Sequence, residues 1–145
     1  MSYLLKCKEL VFLTWMDGFK YKNVLLIDDN QIDNLINRKI LGNANFAETI
    51  NVIDSPEKAF EFLRDSLLSG KNVPEVIFLD LRMPNMNGFE FLKSFKELPN
   101  LKPHLIKIFV LSSSLDPKDI KKINDNQLVS KFIGKPLTNQ VLEEI

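Results

Sequence analysis

Short apolar runs alternate along the chain with segments whose apolar residues recur every three or four positions. Five runs have the length of buried strands: NVLLID, AETINVI, EVIFL, IKIFVLS and LVSKFIG, at residues 23–28, 47–53, 75–79, 106–112 and 128–134. The second run is weaker, because polar residues interrupt it. The segments between the runs have helical spacing, so the pattern predicts a repeat of strand and helix.

Capping residues mark where the first two predicted helices begin. The first begins after Asn30, with apolar residues at helical spacing at Ile32, Leu35, Ile36 and Ile40. Gly42 and Asn43 are expected to end this helix. Ser55 is the expected cap of a second helix, which Gly70 ends and whose buried face is Ala59, Phe62, Leu63 and Leu67.

The other helices follow the third, fourth and fifth runs. A third helix is expected to end before Pro99. Its apolar face is formed by Phe91, Leu92, Phe95 and Leu98, and its phenylalanines are expected in the core. Asp116 caps a short fourth helix, and Thr138 opens a last one. Short strands joined through helices need parallel crossovers and a sheet covered on both faces. The predicted fold class is therefore α/β: a doubly wound five-stranded parallel sheet in a three-layer (βα)5 sandwich.

Composition narrows the classes of protein and partner. The chain has 145 residues, which fits one domain, and its 19 basic and 19 acidic residues give a net charge of zero. This balance gives no electrostatic footprint for nucleic acid or a membrane surface, so neither is expected as a partner. A single cysteine, Cys7, cannot form an internal disulfide, and a cytoplasmic location is therefore expected. The single histidine, His104, excludes a multi-histidine metal site.

Residues 1–21 are interpreted as an N-terminal arm of unknown role, ahead of a domain at residues 22–145. The arm is rich in apolar residues, but charged residues interrupt it at Lys6, Lys8, Glu9 and Asp17. It is too short and too charged to span a bilayer, and it lacks the small-residue cleavage site of a secretory signal. Two interpretations stay open: a segment packed on the domain, or a start codon placed too early, with Met16 as the natural start.

Polar residues with complementary chemistry come directly after four of the predicted strands. They are Asp28 and Asp29, Asp80, Ser112, and Lys135. The carboxyl ends of parallel strands share one edge, so these side chains are expected to converge. Three nearby carboxylates repel one another, and oxygen ligands suit Mg²⁺. A lysine and a hydroxyl can bind a phosphoryl group, and a carboxylate can be its acceptor. The set predicts phosphoryl transfer onto an aspartate, assisted by Mg²⁺.

Each of these residues also has an ordinary structural explanation. Asp28 alone could cap the first helix, Ser112 is a common turn residue, and a lone lysine such as Lys135 is usually solvated. Asp54, which follows the second run, is assigned to the turn before Ser55. The five residues together, each at a strand end, are harder to explain in these terms.

Four segments resemble the receiver domain of two-component response regulators: VLLIDDN, VIFLDLRMPNMNGFEFL, VLSSS and FIGKP. The resemblance covers roughly residues 22 to 145 and implies a flavodoxin-like fold. It implies that Asp80 is the phosphoacceptor. It also implies that Asp29 binds Mg²⁺ directly, that Asp28 acts mainly through a metal-bound water, and that the backbone carbonyl of Arg82 is a further ligand.

The same resemblance assigns the switch residues. Ser112 matches the hydroxyl that turns toward the phosphoryl oxygens, and Lys135 matches the lysine that pairs with them. Phe132 matches the aromatic switch position, where tyrosine is commoner. The bond between Lys135 and Pro136 is a candidate for the cis form.

Two variable positions bear on how long a phosphoryl group would persist. The cationic side chain of Arg82 could cover the phosphoryl group and slow attack by water, or it could point to solvent. Ser114 is small and would leave the site open. Since these two effects oppose each other, the phosphoryl lifetime stays open.

The expected partners follow from the resemblance. The donor is a sensor histidine kinase or a histidine phosphotransfer protein, since the sequence has no glycine-rich loop for ATP and no plausible donor histidine. The chain is expected to be a single-domain regulator, similar to chemotaxis regulators, and not a turnover enzyme. It would signal through an unknown downstream protein that binds a phosphorylation-dependent surface.

Two other functions are weighed against this one. A haloacid-dehalogenase-type phosphatase also has an aspartate nucleophile, but it needs Asp-x-Asp after the first strand, where Asn30 stands here. It also needs a later acidic pair, and only Glu143 and Glu144 follow Lys135. The third possibility is a binding module that keeps the fold without phosphorylation, and the intact set of acids argues against it.

Overall fold

The computed structural model describes residues 18–113 and 116–145. Its elements, in chain order, are β1 (Tyr21–Ile27), α1 (Gln31–Asn43), β2 (Ala47–Ile53), α2 (Pro56–Ser69), β3 (Val76–Asp80), α3 (Gly88–Phe95), a short 3₁₀ turn (Pro103–Leu105), β4 (Lys107–Ser112), α4 (Pro117–Asn124), β5 (Val129–Gly134) and α5 (Asn139–Glu144). The predicted alternation of five strands and five helices is confirmed.

The strands form one parallel sheet in the order β2-β1-β3-β4-β5. One face packs against α1 and α5 through a cluster that includes Leu41 and Leu142. The other face packs against α2 and α3, with Leu63 and Phe91 in its core. The helices therefore cover both faces, and the predicted doubly wound, three-layer α/β sandwich is confirmed. None of the helices in residues 18–113 and 116–145 has the length and apolar character to cross a membrane.

Several boundaries differ from the sequence prediction by a few residues. β1 begins at Tyr21, whose ring lies 5.1 Å from that of Phe46, so this residue belongs to the sheet and not to the arm. β3 extends through Asp80. α3 ends at Phe95, before the predicted end, because the chain tightens there into i→i+3 hydrogen bonds, and Leu98 is still buried. Residues 1–17 of the predicted arm lie outside the described residues.

The predicted helix caps are present where the sequence placed them. The Asn30 side chain accepts hydrogen bonds from the backbone N–H groups of Ile32 and Asp33, both at 3.0 Å. Ser55, Asp116 and Thr138 cap α2, α4 and α5 in the same way. These caps end the loops that leave the carboxyl edge of the sheet, so they fix the geometry of that edge.

The apolar stripe of α1 faces outward. Ile32 and Leu35 are each 70% exposed and Ile36 is 43% exposed, whereas the buried positions are Asn34, Asn37 and Leu41. The Asn34 amide donates to the Asp28 carbonyl at 2.7 Å, and the Asn37 side chain accepts from the backbone N–H of Leu137 at 3.4 Å. The helical spacing is confirmed, but hydrogen-bonded asparagines fill the buried face and leave three apolar side chains in solvent.

Candidate functional site

Three carboxylates meet at the carboxyl edge of the sheet, where the strand order changes direction between β1 and β3. Ile27 is paired with Leu79, so Asp28 and Asp80 are the next residues along two neighbouring strands. Asp28 and Asp80 are buried, Asp29 is exposed, and ligand oxygens of all three lie within 4.8 Å of one another. A set made only of carboxylate oxygens fits Mg²⁺, which keeps several waters of its own.

Lys135 brings a positive charge into this cluster from the end of β5. Its backbone N–H donates to the Ser112 carbonyl at 2.9 Å, which ties β5 to β4 at the same edge. Its ammonium group donates to Asp28 at 2.7 Å and to Asp33 at 2.9 Å, and it lies 3.0 Å from Asp80 Oδ1. With its side chain only 10% exposed, this lysine is the shared counter-ion of three acids.

Asp33 is the site residue that the sequence prediction missed. The sequence indicated only a first-turn acid of α1, which is favourable at a helix N-terminus. Because Asn30 caps the helix so close to the end of β1, the first turn of α1 overhangs the carboxyl edge and Asp33 reaches Lys135. A first-turn acid three residues after such a cap is the signal that could have found it.

The charge balance of the cluster is reflected in two pKa values. Burial, and then repulsion from Asp28, raise the pKa of Asp80 to about 6, although hydrogen bonds from Lys135 and from the backbone N–H of Arg82 oppose this rise. Burial by itself would lower the pKa of Lys135, but hydrogen bonds to Asp28, Asp33 and Asp80 raise it above its usual range. The lysine therefore stays charged, whereas ionised Asp80 is held at a cost that a bound cation would relieve.

Ser112 and Phe132 lie on the adjoining strands β4 and β5. Ser112 is the last residue of β4, is 1% exposed, and is paired with Gly134 of β5. Phe132 is partly buried and packs against a small core of Leu81, Val110 and Ile123. This places the hydroxyl at the sheet edge and the ring against α4, while their switching roles stay predictions. Ser114 lies outside the described residues.

The loop after β3 packs closely against the end of that strand. The Gly88 N–H donates to the Leu81 carbonyl at 2.9 Å, and a Cβ at Gly88 would lie 3.1 Å from the Leu81 Cα and 3.2 Å from the Asp80 carbonyl oxygen. Asn85, in the same loop, has a φ of 68°. Glycine thus allows α3 to start directly against the end of β3.

The side chain of Arg82 is largely exposed and has a partner that the sequence did not indicate. Its guanidinium group forms an ion pair with Asp119 in the first turn of α4. The carbonyl of Arg82 as a metal ligand stays a prediction. The bond between Lys135 and Pro136, a candidate for the cis form from the resemblance, is cis.

Comparisons with known proteins identify the family of this chain. The family model of the response regulator receiver domain matches residues 24–145. The two-component response regulator ORR1 of Oryza sativa subsp. japonica is 34% identical over 124 residues, which are 84% of this chain and 52% of that protein. ARR17 of Arabidopsis thaliana is 33% identical, over 85% of this chain and 81% of that protein. The chain thus spans about half the length of the rice relative.

Solved structures show the same likeness. A two-component response regulator from Cytophaga hutchinsonii superimposes with a TM-score of 0.78 at 33% identity, covering 85% of this chain and 92% of that one. The phosphorylated cyanobacterial phytochrome response regulator RcpA gives a TM-score of 0.67 at 28% identity, covering 86% and 87%. With its flavodoxin-like sheet and its match to the family model, this chain belongs to the receiver domain family of two-component response regulators.

Proposed function

We propose that this protein accepts a phosphoryl group on Asp80 from the phosphohistidine of a sensor histidine kinase or a histidine phosphotransfer protein. The observation that carries this proposal is the position of Asp80, buried at the sheet edge between Lys135 and the carboxylates of Asp28 and Asp29. A structural neighbour, RcpA, is described as phosphorylated. The proposal is that this chain is phosphorylated too, and that the phosphorylated residue is Asp80.

Mg²⁺ is the proposed cofactor, because the donor set at this edge consists of oxygens. Asp28, Asp29, Asp80 and the backbone carbonyl of Arg82 would hold it. When bound, Mg²⁺ would neutralise negative charge on the carboxylates and on the transferring phosphoryl group. It would also lower the pKa of Asp80, so that the acceptor is a carboxylate near neutral pH.

The residues of the chain carry out the transfer. A carboxylate oxygen of Asp80 attacks phosphorus in line with the imidazole nitrogen, the new P–O bond forms, and the P–N bond breaks with its electron pair returning to the histidine. Lys135, already 3.0 Å from Asp80 Oδ1, shifts its hydrogen bonds onto the phosphoryl oxygens. The Ser112 hydroxyl donates to another of these oxygens. Asp28 and Asp33 keep the ammonium in place throughout.

The change in the site would reach the surface through Phe132 and α4. Movement of Ser112 toward the phosphoryl group changes the space beside Phe132, which packs with Ile123 of α4. The proposed readout is therefore an altered surface on α4, β5 and α5, and its downstream protein is unknown. The two states would be separated by repacking, since phenylalanine has no hydroxyl group to hydrogen-bond in either.

The chain is proposed to be a phosphoacceptor without turnover of phosphomonoesters. A haloacid-dehalogenase-type phosphatase would need a general acid where Asn30 stands. The Asn30 side chain is instead engaged with two backbone N–H groups at the start of α1. Turnover of p-nitrophenyl phosphate would support the phosphatase, and incubation with this substrate is expected to release none of its phenol.

The exposed apolar face of α1, formed by Ile32, Leu35 and Ile36, is the proposed contact for the phosphohistidine donor. α1 begins two residues after Asp29, and its Asp33 lies within the site. A protein that places a histidine against Asp80 must therefore cover the first turns of this helix. Exposed apolar side chains there would be buried by such a partner.

Replacing Leu35 by aspartate is expected to slow phosphoryl transfer from a phosphorylated histidine phosphotransfer domain by about tenfold or more, since burial of one leucine side chain contributes roughly 1.5 kcal/mol. Uptake from acetyl phosphate should not change, because that small donor needs no docking surface. Leu68→Asp on α2 is the matched control, since Leu68 is 69% exposed and Leu35 is 70% exposed. Equal slowing by both variants would contradict the assignment.

Incubation with acetyl phosphate and Mg²⁺ tests the proposed function directly. The intact mass of the protein is expected to rise by one phosphoryl group, and EDTA should prevent this gain. Asp54→Asn removes another acid near the same edge, one that pairs with Lys58 at 3.2 Å, and this variant should still be labelled. An unlabelled wild type would exclude the function, and labelling in EDTA would exclude the role of Mg²⁺.

A further inference from the structure

The ion pair between Arg82 and Asp119 joins the loop beside Asp80 to α4. The Arg82 side chain is 63% exposed and that of Asp119 is 16% exposed, so the carboxylate is the more buried partner. In the described part of the chain, no ion pair joins Arg82 to Asp80. The guanidinium thus has its counter-charge on α4 while Asp80 is unphosphorylated.

Arg82 also lies within reach of a phosphoryl group on Asp80. Its backbone N–H is hydrogen-bonded to the Asp80 carboxylate, so its side chain starts beside the position that the phosphoryl group would occupy. A phosphoryl group adds about two negative charges and three acceptor oxygens, and a guanidinium binds such oxygens with two parallel hydrogen bonds. Asp119 and the phosphoryl group are therefore competing partners for one guanidinium.

We propose that Asp119 is a positioning residue that shortens the lifetime of the phosphoryl group by holding Arg82 on α4. This inference rests on the proposed function of Asp80. In hydrolysis, water attacks phosphorus in line with the bond to Asp80, that P–O bond breaks with its electrons returning to the carboxylate, and the water loses a proton as inorganic phosphate leaves. A guanidinium lying across the exposed phosphoryl oxygens obstructs that approach, and Asp119 draws it away.

The size of the effect follows from the exposure of the pair. An ion pair at the surface shifts a side-chain equilibrium by about two- to fivefold. Release of Arg82 from Asp119 is therefore expected to lengthen the phosphoryl lifetime by about the same factor. The same release frees the first turn of α4, so the lifetime and the α4 surface would be coupled through one side chain.

The lifetime is measured by labelling with acetyl phosphate and Mg²⁺, removing the acetyl phosphate, and following the loss of the added mass. Asp119→Asn is expected to lengthen the half-life about two- to fivefold, and Arg82→Gln to shorten it. The double variant should match Arg82→Gln, because Asp119 acts only through the arginine. Asp119→Glu should restore the wild-type half-life, and Asp125→Asn, which removes an exposed acid at the other end of α4, should leave it unchanged.

Three results would overturn the proposal. Asp119→Asn could leave the half-life unchanged, it could change the half-life by the same factor with and without Arg82, or Asp125→Asn could have an equal effect. The labelling step separates this inference from the function on which it rests. If the wild type is not labelled, both the function of Asp80 and the role of Asp119 are rejected. If the wild type is labelled but the effects of Asp119→Asn and Arg82→Gln on the half-life are additive, only the role of Asp119 is rejected.

Discussion

Replacing Lys135 by alanine is expected to lower the free energy of unfolding by about 3 kcal/mol near neutral pH in the absence of Mg²⁺, as is typical when one partner of a buried ion pair is removed. The ammonium group is the shared partner of Asp28, Asp33 and Asp80, and two of these acids have buried side chains. Without the lysine, the native state must hold mutually repelling carboxylates that no cation neutralises. Urea denaturation in EDTA measures the loss.

The matched control is Lys131→Ala, which removes a lysine within β5. Its ammonium group is 3.6 Å from Glu144 and both side chains are about half exposed, so the expected loss is less than about 0.5 kcal/mol. Adding Mg²⁺, or lowering the pH until the acids are protonated, should reduce the difference in stability between Lys135→Ala and the wild type, whereas the small difference between Lys131→Ala and the wild type should stay the same. Equal denaturation midpoints for the two variants would contradict the role of Lys135 as the counter-ion.

Replacing Asp80 by asparagine is expected to have the opposite effect and to stabilise the protein in EDTA. The pKa of Asp80 is raised from 3.8 to about 6 in the folded state, so the native state binds more protons than the unfolded state between these values. Stability therefore falls as the pH rises through this window, and it stays lower above it. Asparagine removes the charge and with it this cost, which is about 3 kcal/mol near neutral pH because one pKa unit corresponds to about 1.36 kcal/mol.

The pH dependence distinguishes this explanation from a general effect of the substitution. The stabilisation by Asp80→Asn should be present near neutral pH, decrease below the raised pKa, and be absent below the ordinary pKa of aspartate. The stabilisation should also be smaller in Mg²⁺. The wild type has one more carboxylate ligand than the variant, so Mg²⁺ should bind it more tightly and stabilise it more. Asp54→Asn is the control. The side chain of Asp54 is about half exposed, and among the described residues its ion-pair partner is Lys58. A difference independent of pH would argue against the charge of Asp80 as the cause.

The sequence predicted the fold and the membership of the acidic cluster well, for one physical reason. Strands of a parallel sheet end at a common edge, so residues that follow separate strands are brought together whatever the details of the loops. Asp28, Asp29, Asp80 and Lys135 could thus be grouped although they are far apart in the chain. The bounds of β2 also match the prediction, because Ser55 and Pro56 mark the start of the next helix.

The sequence could not predict which face of α1 is buried. Periodicity identifies a helix, but its orientation depends on partners that are distant in sequence. Here Asn37 accepts from Leu137, which is 100 residues away, and Asn34 donates to the backbone beside the acidic cluster. The local pattern could not predict two ion pairs for the same reason. Arg82 and Asp119 are 37 residues apart, and Asp33 and Lys135 are 102 residues apart.

The most direct measurement of the central claim is to locate the phosphoryl group in the chain. Protein labelled with acetyl phosphate and Mg²⁺ is reduced with borohydride, which converts an aspartyl phosphate into homoserine, and its peptides are sequenced by mass spectrometry. Homoserine is predicted at position 80 of the wild type and at no position of Asp80→Asn. Homoserine at position 28, 29 or 54 of the wild type, or labelling of Asp80→Asn equal to the wild type, would show that Asp80 is not the acceptor.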